Sequence, residues 1–197
     1  MDQRTAAPHT SQQILDIAQR LVQTRGFNAF SYADIAEALK ITTASLHYHF
    51  ASKASLGVNL IERYTRDFSD ILGRIDAETA LGGGRADQKL QRYAAAFADV
   101  LADDRSCMCG MLAAEFETLP KTMQVALEGF FVMTESWLEK VLEEGRATGS
   151  LHFRGSAHEA AQYLNGSLEG SMIMARSGGG MARFDFAIRH LLEGFGA

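Results

Sequence analysis

The sequence predicts an all-α fold of nine helices divided between two domains. Three observations carry that expectation. Apolar residues recur at helical spacing from Ile14 to Phe195. Hydroxyl caps and glycine stops bracket the periodic stretches. Only 2 of the 197 residues are proline, and no β-branched run long enough for a strand competes with the helical pattern. Apolar residues make up 47% and charged residues 22%, values of an ordinary globular chain with enough length to bury a core.

The elements follow in order. Ile14, Leu15, Ala18, Leu21 and Val22 form one stripe of a helix that Thr10 or Ser11 caps and Gly26 stops. Ser31-Tyr-Ala-Asp34 reads as a capping box that starts a short helix over 31–39, with Ile35, Ala36 and Leu39 facing inward. The pattern breaks at Lys40-Ile41, and Thr42 caps another short helix over 43–50. Ser52 caps a fourth, which runs through Leu56, Leu60, Ile61, Tyr64, Phe68 and Leu72 to Gly82-Gly83-Gly84, the clearest linker in the chain. Beyond it helices are expected at 87–102, at 107–119 before Pro120, and at 121–148. Ser156 caps another over 157–176, and the last covers 181–195. No repeat of solenoid length is present.

Composition excludes several functions. No stretch approaches the ~20 apolar residues of a membrane span, and the polar start from Met1 to Thr10 has no apolar segment behind it, so neither a span nor a secretory signal is expected and the cytoplasm is the expected location. Two cysteines, Cys107 and Cys109, make no disulfide framework and suit a reducing compartment. The net charge of −5 argues against a protein that coats nucleic acid along its length. The charge is unevenly spread. Residues 1–60 carry five basic and four acidic side chains, whereas the remainder carries 14 basic and 20 acidic.

Segments 31–39 and 43–50 are joined by a three-residue turn, the arrangement of a helix-turn-helix. The second helix of such a pair fits the major groove of DNA, ~12 Å wide, while the first lies across the backbone. Leu46 and Phe50, four apart, are expected to face the core, leaving Thr43, Ser45, His47, Tyr48 and His49 outward as hydrogen-bonding groups. Lys53, in the first turn of the next helix, combines an ammonium with unpaired backbone amides as a phosphate site. The alternative is an ordinary polar face on a small helical subdomain. A His-x-His zinc site at His47 and His49 is not expected, because two residues on a helix are rotated about 200° apart.

Ser31-Tyr-Ala-Asp-Ile-Ala36 with Leu46-His-Tyr-His-Phe50-Ala-Ser-Lys53-Ala-Ser-Leu56 resembles the DNA-binding domain of the tetracycline-repressor (TetR) family of bacterial regulators. The resemblance is strong over residues 10–56 and rests elsewhere on length and helix count. It implies a DNA-binding domain over 1–53 and a ligand-binding and dimerisation domain over 54–197. It implies that Thr42, Thr43 and Ser45 approach bases or phosphates, that Tyr48 and His49 touch the backbone, and that Lys53 holds a phosphate; Ser31 is counted with them as a DNA-binding residue. His47 stands where the family usually has Tyr, and Lys40 replaces the glycine common in its turn.

Ser106-Cys107-Met-Cys-Gly-Met-Leu-Ala-Ala-Glu115 resembles the ligand-domain segment of the N-ethylmaleimide-reductase repressor branch of that family, where a cysteine at the position of Cys107 responds to electrophiles and oxidants. Arg105 beside it is expected to lower the thiol pKa. Burial of both cysteines as small hydrophobes is the alternative. Phe97, Met111, Phe130, Met133, Trp137 and Tyr163 are candidates to line a ligand cavity with Cys107 and Cys109, or simply to pack the core. No charged pair stands out as a ligand anchor, so a small, neutral and apolar or reactive inducer is expected. No cofactor and no metal are expected.

Gly166 and Gly170, four apart with Ser167 and Ser171 beside them, allow close approach of another helix. The resemblance implies that 157–176 and 181–195 form a four-helix bundle with a second copy, through Gly166, Gly170, Ile173, Phe184, Ile188 and Leu191. Packing within the chain is the alternative. The function expected is a homodimeric repressor that binds double-stranded DNA at a palindromic operator and is released by a small molecule or electrophile. Two other readings are a thiol enzyme using Cys107 with His152, His158 or His190, and a helical interaction dimer without DNA binding.

Overall fold

In a computed structural model, residues 6–80 and 83–197 are described, with the side chains of 6–9 left aside. The order is α1 (Ala6–Arg25), α2 (Tyr32–Leu39), α3 (Thr43–His49), α4 (Lys53–Ala80), α5 (Ala86–Ala102), α6 (Met108–Ala114), a 3₁₀ turn (Phe116–Thr118), α7 (Lys121–Thr148), α8 (Ala157–Ser177) and α9 (Gly180–Glu193). The described residues contain no strand. The expected all-helical architecture is therefore present, with shifts of a few residues at the ends. Two expectations need adjustment. The helix expected over 107–119 is an α-helix of two turns followed by a separate 3₁₀ turn, because Glu115 leaves helical geometry (φ −105°, ψ 9°). Gly82, at the head of the expected linker, lies outside the described residues.

The chain folds as two compact units: residues 1–65 with 108–128, and residues 66–107 with 129–197. In the first, Ile14, Ala18 and Val22 of α1 are buried with Phe27, Phe30, Ile35, Leu46, Phe50, Leu56, Leu60 and Ile61. Gly26 ends α1 at φ +91°, a conformation open to glycine, and its N–H donates to Val22 O at 2.9 Å. The buried Arg63 of α4 closes this core from outside, donating to Asp16 Oδ1 at 2.6 Å and Gln19 Oε1 at 2.7 Å on α1.

In the second unit Leu90, Tyr93, Ala94 and Phe97 of α5 are buried together with Leu138, Val141 and Leu142 of α7, Leu164, Leu168 and Met172 of α8, and Phe184 of α9. Lys89 ties this unit electrostatically, its Nζ 2.9 Å from both Asp76 and Glu144. Among the described residues no helix is long and apolar enough to cross a membrane.

Candidate nucleic-acid interface and thiol site

The helix-turn-helix is built by its caps. Asp34 Oδ2 accepts from the Ser31 N–H and hydroxyl, both at 2.7 Å, fixing the first turn of α2. The Ser31 hydroxyl and amide hold the Asp34 carboxyl below the usual carboxylate range. Lys40 ends α2 in the left-handed region (φ 54°, ψ 41°), so the residue that replaces glycine nonetheless takes glycine's conformation. Thr42 caps α3, its Oγ1 accepting from the Ser45 N–H at 3.2 Å.

As expected, Leu46 and Phe50 are buried. Thr42, Thr43, His47 and Tyr48 are exposed, Tyr48 at 82%, and Ser45 and His49 are half-buried. Tyr48 and His49 meet edge to face at 5.2 Å between ring centres, whereas His47 lies 4.8 Å from the Tyr32 ring, with its Nδ1 3.3 Å from Ala51 O. Tyr32 Oη in turn donates to Phe50 O at 2.9 Å, and burial pushes its phenol up to about 12. His47 thus leans on α2, while Thr43, Tyr48 and the N-terminal cap are left on the open face.

Lys53 has a second task that sequence reasoning did not find. Its Nζ donates to Phe27 O at 2.6 Å and to Phe30 O, and lies over both rings at 4.5 and 4.4 Å from their centres. Burial draws the ammonium pKa below its usual value, against the charges of Glu115 and Asp34. Glu115, just past α6, joins the same loop from the other side, accepting from the Phe27 N–H at 2.6 Å and the Asn28 N–H at 3.1 Å. Phe27 to Phe30 is thus held between α4 and the end of α6. The sequence signal for Lys53's inner role was the pair Phe27 and Phe30 set in a short connection.

In the second unit, Phe68, Tyr93, Phe97, Phe130 and Trp137 form one aromatic cluster, with ring centres 5.3–6.2 Å apart between neighbours. Trp137 Nε1 donates to Asp76 Oδ2 at 2.9 Å. Three of the expected pocket residues, Phe97, Phe130 and Trp137, are therefore brought together. Met133 is half-buried on the same helix as the last two. Tyr163 is instead 64% exposed and lines an open groove of about 430 Å³ with Phe153, Arg154, His190, Leu191 and Phe195. Cys109, buried, and Met111, half-buried, belong to the first unit.

Cys107 is in no disulfide and is only 3% exposed. One stripe of α8 grips it and its neighbour. The Cys107 N–H donates to Met172 Sδ at 2.9 Å, Arg176 donates to Ser106 Oγ at 3.1 Å, and the thiol hydrogen-bonds the Glu169 carboxyl. Asn165, one turn earlier, accepts from Tyr93 Oη at 2.9 Å. Arg105 is ion-paired with Asp103 at 2.7 Å. Glu169 is an acidic group at this site that sequence reasoning did not single out. The signal was available: Asn165 and Glu169 interrupt an otherwise apolar stripe of Ala161, Leu168 and Met172.

Comparison with known proteins agrees with this geometry. A family model described as bacterial regulatory proteins, tetR family, matches residues 14–57. A TetR-family transcriptional regulator from Agrobacterium tumefaciens is 30% identical, the match covering 97% of this chain and 100% of that one, with a TM-score of 0.91. The chain belongs to the TetR family. Among curated relatives, the repressor DhaR of Mycobacterium sp. strain GP1 is 24% identical over 82% of this chain and 80% of its own length. The repressor NemR of Escherichia coli K12 is 22% identical over 92% of each. This TetR-family member is a DNA-binding transcriptional regulator whose helix-turn-helix is α2 and α3 and whose C-terminal part is the ligand-binding domain.

On the two last helices of this family member, the six residues expected at a dimer interface divide. Gly166, Gly170 and Ile173 of α8 are exposed, Leu191 is half-buried, and Phe184 and Ile188 of α9 are buried inside the chain. The last two are corrected: they seat α9 on its own unit, because Phe184, Ile188 and Leu192 form the inward stripe of that helix. The outward apolar residue of α9 is Phe186, 61% exposed. Among the described residues no group of three or more His, Cys, Asp or Glu side chains is placed to hold a metal ion.

Proposed function

We propose that the protein is a homodimeric, cytoplasmic transcriptional repressor that reads an inverted-repeat operator through α3 and acts by binding, with no catalytic step. The observation that carries this reading is the face of α3: Leu46 and Phe50 are buried, while Thr42, Thr43 and Tyr48 stand clear of the fold. Residues 1–53 serve as the DNA-binding domain and 54–197 as the ligand-binding and dimerisation domain. Ser31, Thr42, Thr43 and Ser45 approach bases or phosphates, and His47, Tyr48 and His49 serve the backbone. Lys53, with two of its three donors committed to Phe27 and Phe30, has one left for a phosphate.

One recognition helix touches too few bases to select a site, so a second copy is required at fixed separation. Gly166 and Gly170 support pairing through α8. A side chain added at either position meets nothing in this chain, and glycine within a helix costs about 1 kcal/mol relative to alanine, so the chain itself supplies no reason for them. A partner helix packed against Gly166, Gly170 and Ile173 does.

The effector is a small molecule or an electrophile acting on the second unit, with Cys107 as the responding thiol. Cys107 immediately precedes α6, and Glu115 immediately follows it and holds the Phe27–Asn28 amides. An effector works only through its difference in affinity for the DNA-fitting and non-fitting states.

The test is retardation of the protein's own promoter fragment. Binding at low salt that falls steeply as salt rises supports the reading. No retardation at low salt overturns it.

A further inference from the structure

We propose that Glu169 is the general base for Cys107, taking the thiol proton as the sulfur attacks a small α,β-unsaturated carbonyl compound and returning it to the adduct. The inference rests on the reading of Cys107 as the responding thiol and adds the residue that makes it reactive.

The geometry singles Glu169 out. Its stem is partly exposed, but the carboxyl end turns inward, where Oε1 is shut off from solvent and has no hydrogen-bond partner. Burying an unpaired carboxyl oxygen is costly, and a purely structural acid would be paired on both oxygens. The bonded group is the Cys107 thiol. Tyr93 Oη, whose phenol feels the Glu169 charge, is spent on Asn165, so it does not compete for the carboxyl. Burial, then the charges of Glu169, Cys107 and Glu135, hold the Tyr93 phenol well above its usual range, which leaves Glu169 as the acid and base of this cluster near neutral pH. Met172 and Arg176, one and two turns further along α8, hold the Cys107 amide and the Ser106 hydroxyl beside that acid.

A thiol alone is mostly protonated at neutral pH and reacts slowly, so an adjacent base is what activates it. Burial pushes the Glu169 carboxyl up to about 7, opposed by the Cys107 hydrogen bond, so both its forms are populated near neutrality. The step is redox-neutral. The S–H proton passes to the Glu169 carboxylate, an S–C bond forms at the β-carbon, and the π electrons of the C=C bond move into an enolate. That enolate takes the proton back from Glu169, so the net change is addition of S–H across the double bond. A cysteine 3% exposed admits only a small reagent, which makes acrolein the appropriate probe.

The test uses the full chain. Acrolein addition to Cys107 is followed by site-resolved mass spectrometry from pH 5.5 to 9, in parallel with anisotropy on a fluorescent promoter duplex. The wild-type rate is expected to rise through an inflection near 7. Glu169→Gln is expected to lose that inflection and to react about 100-fold more slowly at pH 7.5, the low end of what a positioned base contributes. Should that variant fail to fold, Glu169→Asp keeps the acid but draws it back, and is expected to retain an inflection at a reduced rate. A Gln variant with the wild-type profile, or an Asp variant as fast as wild type at every pH, overturns the base. If DNA is still released on alkylation in either case, the reading of Cys107 stands without it. Alkylation with the expected profile but no release of DNA supports the base and overturns the regulatory reading. No alkylation of Cys107 in the folded protein overturns both.

Discussion

Lys53→Ala removes an ammonium that donates to two carbonyls and covers two rings, and the structure sets the size of the loss. Each hydrogen bond from a charged donor is worth about 1.5–3 kcal/mol. The low end applies here because Lys53 is half-exposed and water reaches the carbonyls once it is gone. The contact with the Phe27 and Phe30 rings adds about 0.5–1 kcal/mol, and relief of the ammonium's own burial cost subtracts a similar amount. The net expectation is a loss of about 2–3 kcal/mol, confined to the unit that contains α1 to α3. Trp137, the single tryptophan, lies in the other unit and is a poor reporter. Amide hydrogen exchange of peptides spanning residues 27–50, measured without DNA, is the appropriate assay. Their exchange is expected to accelerate by about 30- to 150-fold, since about 1.4 kcal/mol is a factor of ten. Exchange within threefold of wild type, together with weakened DNA binding, refutes the brace and leaves Lys53 as a phosphate contact alone.

Lys40→Gly is expected to raise the thermal stability of the same unit by about 0.5–1 kcal/mol, because a left-handed residue with a side chain costs about 1–2 kcal/mol and glycine's unfolded-state entropy returns part of it. Glu115→Gln replaces a carboxylate acceptor by an amide, and is expected to speed exchange of the Phe27 and Asn28 amides about tenfold without altering Trp137 fluorescence. Glu169 gives a pH dependence of known sign. Below about pH 4.5 folded and unfolded states both carry its proton; between 4.5 and about 7 only the folded state does. Stability present at low pH is therefore lost as pH rises through that window, by about 3 kcal/mol in all, and urea denaturation of Glu169→Gln is expected to show a flatter profile there.

Much of the molecule was legible because its signals are local. The capping box at Ser31 and Asp34, the Thr42 cap and the burial of Leu46 and Phe50 depend on residues three or four apart, and each is where the pattern put it. What the sequence did not disclose depends on contacts across long separations. Lys53 reaches carbonyls 23 and 26 residues away, Glu115 reaches amides 87 and 88 away, and Glu169 of α8 meets a thiol in the segment before α6. Phe184 and Ile188 were placed on the wrong side because an apolar stripe on α9 reads the same whether it faces its own unit or another copy. Burial within the chain decides it.

The most direct test of the account is an equilibrium titration of the protein on a promoter inverted repeat, compared with the same duplex carrying five extra base pairs between the half-sites, about half a helical turn. If two copies of α3 are held at a fixed separation, the insertion reduces affinity by about 100-fold or more, and Tyr48→Ala, which removes a side chain 82% exposed, weakens binding to the unaltered repeat. Equal affinity for both duplexes, or binding indifferent to Tyr48, contradicts it.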